Sequence, residues 1–488
     1  MLFGNLLFNN LKDNAERTAL VQGNRIFTYK EFCILVNSLS SHLEKKGVKK
    51  GDRISLYLPN CVELAVAFFS VTNLGAICVP VNHKYKSIEL KNYIDQSGSE
   101  YLLTDEKLLN DLVTGDLGIK PVAIKGDNSE WSISDIGKDT ERKNFEISQY
   151  DDAIYLFSTG STGIPKCVAR HHKNLVALAD NHTATVGWDN TDIILFVIPL
   201  SHTYAFGNFI SSVKVGAAIY LLEDFSRKKV YEILVKENIT VFPAVPFMLD
   251  MLSTYKPAET DNYLSLKHVI SAGAPLNAKV AERFYEVFNV YPRQLYGSSE
   301  TGVISINMSD DIRERNHSVG RPVNNVVVKI IDDNGNMCSE NEQGEIIVSS
   351  PSMTSGYQNL EEETKKVFKK GFYYTGDLGF IDSDGYIYIK GRRKLFINIS
   401  GQKVDPVEVE NTLLSHSAVL EAAVTGRESE SGNEIVAAYI VADTKLNSSD
   451  IIEFCRGKIS DIKIPSLIKF VESLPKSPTG KILRDKLE

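Results

Sequence analysis

Short runs of β-forming residues alternate with helix-length segments through most of the chain, and this alternation limits the folds that the chain can adopt. The runs are RISLYL (53–58), AICVPV (76–81), YLLTD (101–105), IILFVIPL (193–200), AAIYLL (217–222), ITVFPAVP (239–246) and HVISAGAPL (268–276). Each run has the length of one strand, and the intervening segments are long enough for crossover helices. The pattern therefore predicts an α/β fold with one or two doubly wound parallel sheets.

The pattern changes after about residue 320, where short alternating strands are separated by turns. These runs are VVVKIIDDNGN, GEIIVSS and FIDSDGYIYIKG, and the Asp384-Gly385 pair in the last of them is a strong hairpin signal. They predict a small antiparallel sheet or β-barrel. About the last hundred residues return to mixed helix and strand, which predicts a compact α+β domain.

Charge and cysteine usage exclude several classes of protein. A formal charge of −8 over 488 residues disfavours a non-specific binder of nucleic acid or of an anionic membrane. The six cysteines are scattered without a C-x-x-C pair, a pattern typical of reduced thiols. We therefore expect a cytoplasmic protein with small-molecule substrates and no nucleic-acid partner.

The longest apolar stretch, residues 61–81, is not expected to span a membrane. It contains Glu63, Asn73 and Pro80, which would be costly in lipid. The stretch divides more readily into a buried helix, opened by a capping box of Asn60 and Glu63, and the strand AICVPV. We predict no membrane span.

A loop rich in Gly, Ser and Thr, FSTGSTGIPKCV (157–168), includes the end of the predicted strand AIYLF. It offers hydroxyl groups and unhindered backbone amides to an anion through Thr159, Gly160, Ser161, Thr162 and Gly163. The P-loop template does not fit, because Pro165 precedes Lys166 and Cys167 follows it. Any Mg²⁺ bound there would need a carboxylate from elsewhere in the chain. On composition alone, an exposed linker is an equal alternative.

The motif YGSSETG (296–302) could supply that carboxylate. It combines the flat face of Tyr296 with the hydroxyl groups of Ser298 and Ser299 and the carboxylate of Glu300. Carboxylate oxygen is the ligand type that Mg²⁺ prefers. Taken alone, a polar turn with a solvated glutamate is the simpler interpretation.

Two further motifs lie near the end of the chain. Asp377, in YYTGDLG, could accept both hydroxyls of a ribose, and Arg392 could reach the same sugar or a phosphate. The alternative is a hairpin with a charged end. Lys481, in SPTGKILR, has a solvated terminal lysine as its alternative interpretation.

The motifs STGSTGIPK, YGSSETG, YYTGDLG, GRRKLFINISG and PTGK, in this order, resemble those of the adenylate-forming superfamily. That superfamily contains acyl- and aryl-CoA synthetases, stand-alone adenylation domains and luciferases, and the resemblance spans the chain from about residue 10 to 488. It implies that a carboxylate attacks the α-phosphate of ATP, giving acyl-AMP and pyrophosphate, and that a thiol then attacks the activated carbonyl. The implied domains are a large N-terminal AMP-binding domain (1–393), which includes the β-barrel-like subdomain, and a small mobile C-terminal domain (394–488).

The resemblance also implies roles for the motif residues. The loop around the β- and γ-phosphates comprises Thr159, Ser161, Thr162 and Lys166. The adenine pocket comprises Tyr296 and the segment Gly273, Ala274 and Pro275. Ser299 is expected to contact the α-phosphate and Glu300 to bind Mg²⁺, while Asp377 and Arg392 hold the ribose. Lys481 is expected to bridge the attacking carboxylate and the α-phosphate, which makes Lys481, Ser299 and Glu300 the implied catalytic residues.

The same resemblance implies a hinge at Lys394 and a thiol channel approached by Gly401. The implied substrate pocket is lined by His202, Val245, Gly297 and Val303. Cys167 departs from the family, which usually has Gly after the loop lysine. A packed thiol is the simpler interpretation of Cys167, and a reactive nucleophile is the alternative.

The resemblance therefore implies an ATP-dependent carboxylate–CoA ligase that uses ATP, Mg²⁺ and CoA and acts on a fatty or aryl acid. An amino-acid substrate is disfavoured, because PLSHTYAFG lacks the aspartate that amino-acid-activating members usually place near His202. One alternative is a free-standing enzyme that loads the phosphopantetheine arm of a carrier protein in trans. A more distant alternative is a nucleotide-binding regulatory protein that has lost catalysis.

Overall fold

The computed structural model describes residues 1–112, 117–135, 145–158, 165–255, 265–392, 397–399, 402–428, 434–456, 458–477, 480 and 482–487. The chain divides into two compact units, which we call the first unit (Met1–Val327 and Val348–Tyr373) and the second unit (Val328–Ile347 and Tyr374–Glu488). The sequence predicts a hinge at Lys394, which sets the predicted domain boundary between residues 393 and 394. Because Lys394 lies outside the described residues, that boundary stays a prediction.

The strands of the described residues are numbered here in chain order. They are β1 (Thr18–Gln22), β2 (Arg25–Thr28), β3 (Arg53–Tyr57), β4 (Ile77–Pro80), β5 (Tyr101–Asp105), β6 (Lys120–Lys125), β7 (Asp152–Ser158), β8 (Lys166–His171), β9 (Ile193–Phe196), β10 (Ala218–Leu221), β11 (Val241–Ala244), β12 (His268–Ser271), β13 (Arg293–Ser298), β14 (Gly302–Ile306), β15 (Arg321–Pro322), β16 (Val327–Ile331), β17 (Gly344–Ser349), β18 (Phe368–Lys369), β19 (Phe372–Ile381), β20 (Ile387–Arg392), β21 (Ile397–Ile399), β22 (Gln402–Val404), β23 (Val419–Glu428), β24 (Glu434–Ala442) and β25 (Leu467–Phe470).

The α-helices of the same residues are numbered in the same way. They are α1 (Asn5–Phe8), α2 (Asn10–Asp13), α3 (Tyr29–Lys45), α4 (Val62–Asn73), α5 (Ser87–Ser97), α6 (Glu106–Asp111), α7 (His172–Val186), α8 (Thr203–Val215), α9 (Arg227–Lys236), α10 (Pro246–Ser253), α11 (Ala278–Phe288), α12 (Glu361–Val367), α13 (Pro406–Leu414) and α14 (Ser448–Arg456).

Two largely parallel sheets form the first unit. One has the strand order β15-β14-β13-β12-β11-β9-β10-β1-β2, and the other has the order β6-β5-β3-β4-β7-β8. The inner pairs of both sheets are parallel, whereas β2, β8, β14 and β15 pair antiparallel at the edges. The strand-and-crossover pattern of the sequence thus correctly predicted an α/β fold with doubly wound sheets.

The core of the first unit lies around α4, whose twelve residues are all buried. This helix contacts β3 and β4 of the six-stranded sheet and β1 of the nine-stranded sheet. Stacked, tilted and edge-on ring contacts join its Phe68 and Phe69 to the rings of Phe3, Phe32, Phe206 and Phe209. The apolar stretch 61–81 therefore supplies one buried helix and the buried strand β4, as its sequence predicted.

The predicted capping box at the start of α4 is wrong. The N-cap residue is Cys61, and Asn60 instead bonds to a segment that follows β9. The Asn60 amide donates to the Ile198 carbonyl at 3.0 Å and its Oδ1 accepts from the Leu200 amide at 2.8 Å. Glu63 pairs with Arg25 at 2.6 Å. Both side chains connect distant segments, which a local capping pattern cannot indicate.

The second unit contains the predicted antiparallel and α+β parts. Strands β19 and β20 form a hairpin at Asp384-Gly385, where Gly385 has φ +81° and the Asp382 carboxylate accepts from the Tyr386 amide at 2.8 Å. Strands β23, β24 and β25 form a separate sheet. Helices α13 and α14 pack on it through a core that includes Val409, Leu413, Val424 and Ile451.

Candidate functional site

The predicted phosphate loop connects two antiparallel strands of the first unit. In the β7–β8 pair, Ser158 lies opposite Lys166, which is the first residue of β8. Thr159, Ser161 and Thr162 lie outside the described residues, and their roles stay predictions. Of the four residues predicted to surround the β- and γ-phosphates, Lys166 is the one that the structure describes.

Cys167 is packed in the core of the first unit. Its side chain is buried against Tyr155 and Ala169, among other residues. Burial, with a smaller contribution from the charge of Asp152, raises the pKa of the Cys167 thiol to about 12. The thiol is therefore protonated at neutral pH, which supports a packing role over a nucleophilic one.

The YGSSETG motif forms the tight turn between β13 and β14. Ser298 pairs with Gly302, and the Ser298 hydroxyl accepts from the Thr301 amide at 3.1 Å. A Cβ atom on Gly297 would lie 2.5 Å from the Gly302 carbonyl oxygen, so this exposed position requires glycine. Tyr296 is half-buried in β13, and Val303 is buried opposite Gly297.

Helix α8 begins beside this turn. His202 is its N-cap residue, and the His202 Nδ1 atom accepts from the Tyr204 amide at 3.3 Å. The next residue, Thr203, places its hydroxyl 3.0 Å from that of Ser299. The predicted acid-pocket residue His202 and the predicted α-phosphate residue Ser299 are therefore joined through Thr203.

The predicted adenine segment lies directly after β12. Gly273, Ala274 and Pro275 are exposed, and Gly273 has φ +88°, a conformation that favours glycine. A Cβ atom on Gly273 would lie 3.8 Å from Cγ1 of Val245, the N-cap residue of α10. The structure thus places the predicted pocket residue Val245 beside the predicted adenine segment.

Arg170, on β8, is a fully buried arginine that the sequence did not single out. Its guanidinium donates to the Ser299 carbonyl at 2.6 Å and to the Ser352 carbonyl at 2.8 Å. Burial lowers the pKa of Arg170 to about 10, while the charge of Glu300 acts in the opposite direction. The group remains charged at neutral pH, so it fixes the backbone of the YGSSETG turn with charge-assisted hydrogen bonds.

The segment 350–358 was also missed, and it braces the turn from another side. The Ser352 hydroxyl donates to the Thr301 carbonyl at 2.7 Å, and the Thr354 amide donates to the Glu300 carbonyl at 2.9 Å. The same segment reaches β8, because the Gln358 amide donates to the Cys167 carbonyl at 2.8 Å. It therefore connects the phosphate-loop strand to the turn that carries Glu300.

Tyr357 brings the two predicted phosphate-site charges together. Its hydroxyl donates to Oε1 of Glu300 at 2.9 Å, and the Nζ atom of Lys166 lies 4.8 Å from the centroid of its ring. Burial and the charge of Glu300 raise the pKa of Tyr357, so the phenol stays neutral and acts as a donor. Lys166 also forms an ion pair of 3.0 Å with Glu363 on α12.

The surroundings of Glu300 fit a magnesium ligand. Its side chain is buried, and its Oε2 atom has no hydrogen-bond donor among the described residues. One carboxylate is enough for a Mg²⁺ ion that also binds substrate phosphates and water. No group of three or more His, Cys, Asp or Glu side chains that could hold a metal occurs in the described ranges, and a site of this kind does not need one.

Asp377 and Arg392, both predicted to hold the ribose, meet in the second unit. They face each other across β19 and β20, and Nε of Arg392 donates to Oδ1 of Asp377 at 2.7 Å. The Asp377 side chain is 8% exposed, whereas that of Arg392 is 43% exposed. The carboxylate is therefore oriented by its partner before any ligand binds.

A partly buried ion pair holds the chain near its end. Nη2 of Arg484 lies 2.6 and 2.8 Å from the two carboxylate oxygens of Glu410 on α13. An isolated bridge pairs Lys476 with Ile482, and Gly480 has φ +80°. Arg484 was missed by the sequence analysis, although it stands three residues after the predicted catalytic lysine.

Lys481 itself, the hinge residue Lys394 and the thiol-channel residue Gly401 lie outside the described residues. Their roles stay predictions. Throughout the part of the chain that the structure describes, no helix combines the length and the apolar character needed to cross a membrane.

Known proteins match the chain over nearly its whole length. A sequence model of the AMP-binding enzyme family matches residues 7–358, and a model of the AMP-binding enzyme C-terminal domain matches residues 408–481. A long-chain-fatty-acid–CoA ligase of Mycobacterium tuberculosis is 29% identical, covering 88% of this chain and 86% of its own length. A 4-coumarate–CoA ligase of Oryza sativa subsp. japonica is 30% identical, covering 99% of this chain and 93% of its own length.

A solved structure supports the fold independently. The o-succinylbenzoate coenzyme A synthetase of Bacillus subtilis, in complex with ATP and magnesium ion, superimposes with a TM-score of 0.86 at 27% identity. The match covers 99% of each chain.

Proposed function

The chain belongs to the AMP-binding enzyme family, and from this premise we propose that it is an ATP-dependent carboxylate–CoA ligase. It activates a carboxylic acid as acyl-AMP, with release of pyrophosphate, and transfers the acyl group to the thiol of CoA, with release of AMP. It uses ATP and CoA as cosubstrates and Mg²⁺ as its metal ion. The observation that supports this site most directly is that Tyr357 contacts both Lys166 and Glu300.

The charges of this cluster suit the first half-reaction. Carboxylate and triphosphate repel each other, so the site must supply positive charge where negative charge develops. We assign Lys166 to the β- and γ-phosphates, Ser299 to the α-phosphate and Glu300 to Mg²⁺. The metal, when bound, neutralises phosphate charge. We assign Lys481 to the bridge between the attacking carboxylate and the α-phosphate.

The remaining assignments follow from the resemblance and the local geometry. Asp377 and Arg392 hold the ribose, and the exposed Gly273 segment lies against the adenine together with Tyr296. Lys394 is the hinge between the domains 1–393 and 394–488, and Gly401 approaches the thiol channel in the second half-reaction. These assignments are supported by the ion pair between Asp377 and Arg392 and by the exposure of the Gly273 segment.

For the acid, we propose a fatty or aryl carboxylate. The two related ligases reported above are named for a long-chain fatty acid and for 4-coumarate. The proposed pocket residues include buried Val245 and Val303 together with His202 and Gly297, and the two valines offer apolar walls. A cytoplasmic location is proposed from the scattered, unpaired cysteines.

The function is tested with purified enzyme, ATP, Mg²⁺ and a panel of carboxylic acids, with hydroxylamine to trap acyl-AMP. We expect pyrophosphate release that depends on a fatty or aryl acid. A second arm compares CoA with a phosphopantetheine-bearing carrier protein as acceptor, and we expect faster thioester formation on CoA. Preference for the carrier would replace the acceptor assignment, and absence of acid-dependent pyrophosphate release would overturn the function.

A further inference from the structure

Lys166 has a carboxylate partner that the proposed reaction does not use. Its Nζ atom lies 3.0 Å from Oε2 of Glu363, on the first turn of α12. The Lys166 side chain is 18% exposed and that of Glu363 is 37% exposed, so the pair lies at the protein surface. A ligand that arrives from solvent can therefore compete for the ammonium group.

We propose that Glu363 is an internal counter-anion that occupies Lys166 until the β- and γ-phosphates of ATP displace it, and that it thereby lowers the affinity of the site for triphosphate. This inference rests on the proposed function, because it requires Lys166 to bind those phosphates. It adds a residue, Glu363, that touches no substrate and acts through Lys166.

The charges around Glu363 make the exchange feasible. The ammonium groups of Lys366 and Lys166 hold the pKa of Glu363 at about 2, so its carboxylate is ionised at neutral pH. Oε1 of Glu363 lies 2.6 Å from Nζ of Lys366. When Lys166 turns to a phosphate, Glu363 therefore keeps a cationic partner, and no carboxylate is left unpaired.

Tyr357 keeps Lys166 near the site during this exchange. Its ring lies below the ammonium group, a cation–π contact that is independent of Glu363. Because the Tyr357 hydroxyl is bonded to Glu300, the ring is fixed relative to the proposed metal ligand. Loss of Glu363 should therefore free Lys166 for a phosphate without releasing it from its position.

The size of the effect follows from the exposure of the pair. Partly exposed ion pairs of this kind are worth at most about fivefold in an equilibrium constant. We therefore expect the variant Glu363→Gln to bind MgATP about two- to fivefold more tightly than the wild type. AMP, which lacks the β- and γ-phosphates, should bind both proteins equally.

The test is isothermal titration of MgATP and of AMP into the full-length wild type, Glu363→Gln and Glu362→Gln. Glu362 is the matched control, because it stands on the same turn but pairs with Lys365 at 2.9 Å. The expected result is tighter MgATP binding in Glu363→Gln alone, with AMP binding unchanged in all three proteins. Equal gains for MgATP and AMP, or no gain, would overturn the inference.

The variant Lys166→Ala separates this inference from the proposed function. In the Lys166→Ala background, Glu363→Gln should no longer change MgATP affinity, because the ammonium group that Glu363 pairs with is absent. If Lys166→Ala weakens MgATP binding but Glu363→Gln leaves it unchanged, Lys166 keeps its role and the counter-anion inference fails. If Lys166→Ala itself leaves MgATP affinity unchanged, the phosphate assignment of Lys166 fails.

Discussion

The proposed nucleotide site of the first unit and the chain end of the second unit are secured in different ways. The turn that carries Glu300 is bonded to β8 and to the segment 350–358 by Arg170, Ser352, Thr354 and Tyr357. The described residues near the chain end are held by the Lys476–Ile482 bridge, by an ion pair between Lys476 and Glu421, and by the partly buried pair of Arg484 with Glu410.

This difference indicates that the two regions contribute differently to stability and to catalysis. Many buried bonds keep the nucleotide site in one arrangement, so that its polar groups need little reorganisation when charge develops. The described ion pairs of the chain end are partly exposed, because the side chains of Arg484 and Lys476 are 21% and 28% exposed. Substitutions in the first unit should therefore affect stability and nucleotide binding, whereas substitutions near residue 481 should affect one half-reaction.

The largest expected effect is that of Lys481→Ala. Acyl-AMP formation should fall by about 10²- to 10³-fold, by analogy with the loss of other groups that stabilise transition-state charge. Conversion of supplied acyl-AMP and CoA to thioester should be retained, because that step does not need the lysine. The two half-reactions are measured separately, and an equal loss in both would remove the proposed role of Lys481.

Next in size is the effect of Arg170→Met. The substitution leaves the Ser299 and Ser352 carbonyls without their donor and removes the positive charge near buried Glu300, so unfolding free energy should fall by about 3 kcal/mol. Urea denaturation measures the loss. Arg456→Met is the control, because the Arg456 side chain is 63% exposed and pairs with Glu453, which is 77% exposed, so its loss should matter little. Similar unfolding free energies for both variants would contradict the proposal that Arg170 stabilises the YGSSETG turn.

The variant Arg484→Met tests one of the ion pairs that hold the chain end. It breaks the partly buried pair with Glu410, and we expect acyl-AMP formation to fall about tenfold while the thiol step is spared. The double variant Arg484→Met with Glu410→Gln should recover part of the loss, because the buried carboxylate is then neutral. A similar decrease in both half-reactions would indicate a general loss of folding instead.

The smallest effect is expected for Tyr357→Phe. It removes one hydrogen bond to the Glu300 carboxylate but keeps the ring below Lys166. A bond to a charged group contributes about 1.5 kcal/mol or more, so the Mg²⁺ concentration that gives half-maximal activity should rise roughly tenfold. Tyr386→Phe, in the second unit, serves as the control. An unchanged Mg²⁺ requirement would show that Tyr357 does not orient Glu300.

The sheets could be predicted from sequence because their signals are local. Strand-length runs such as AICVPV and helix-length spacers recur at short intervals, and the Asp384-Gly385 turn needs only two neighbours. The capping box at Asn60 failed because tertiary hydrogen bonds to the chain after β9 took precedence over the local pattern.

The candidate site was predictable only where a motif carried it. Glu300, Lys166, Asp377 and Arg392 belong to recognisable motifs, and the structure brings Glu300 near Lys166 and Asp377 near Arg392. Arg170 could not be found in this way, because its partners are backbone carbonyls far along the chain. Nor does the sequence reveal that Lys166 is already paired with Glu363.

The most direct test of the account is whether Glu300 couples ATP binding to Mg²⁺. Isothermal titration of ATP, with and without Mg²⁺, is compared between the wild type and Glu300→Gln. The account predicts that Mg²⁺ strengthens ATP binding in the wild type and has little effect in Glu300→Gln, with metal-free binding of ATP no weaker in the variant. The same dependence on Mg²⁺ in both proteins would contradict it.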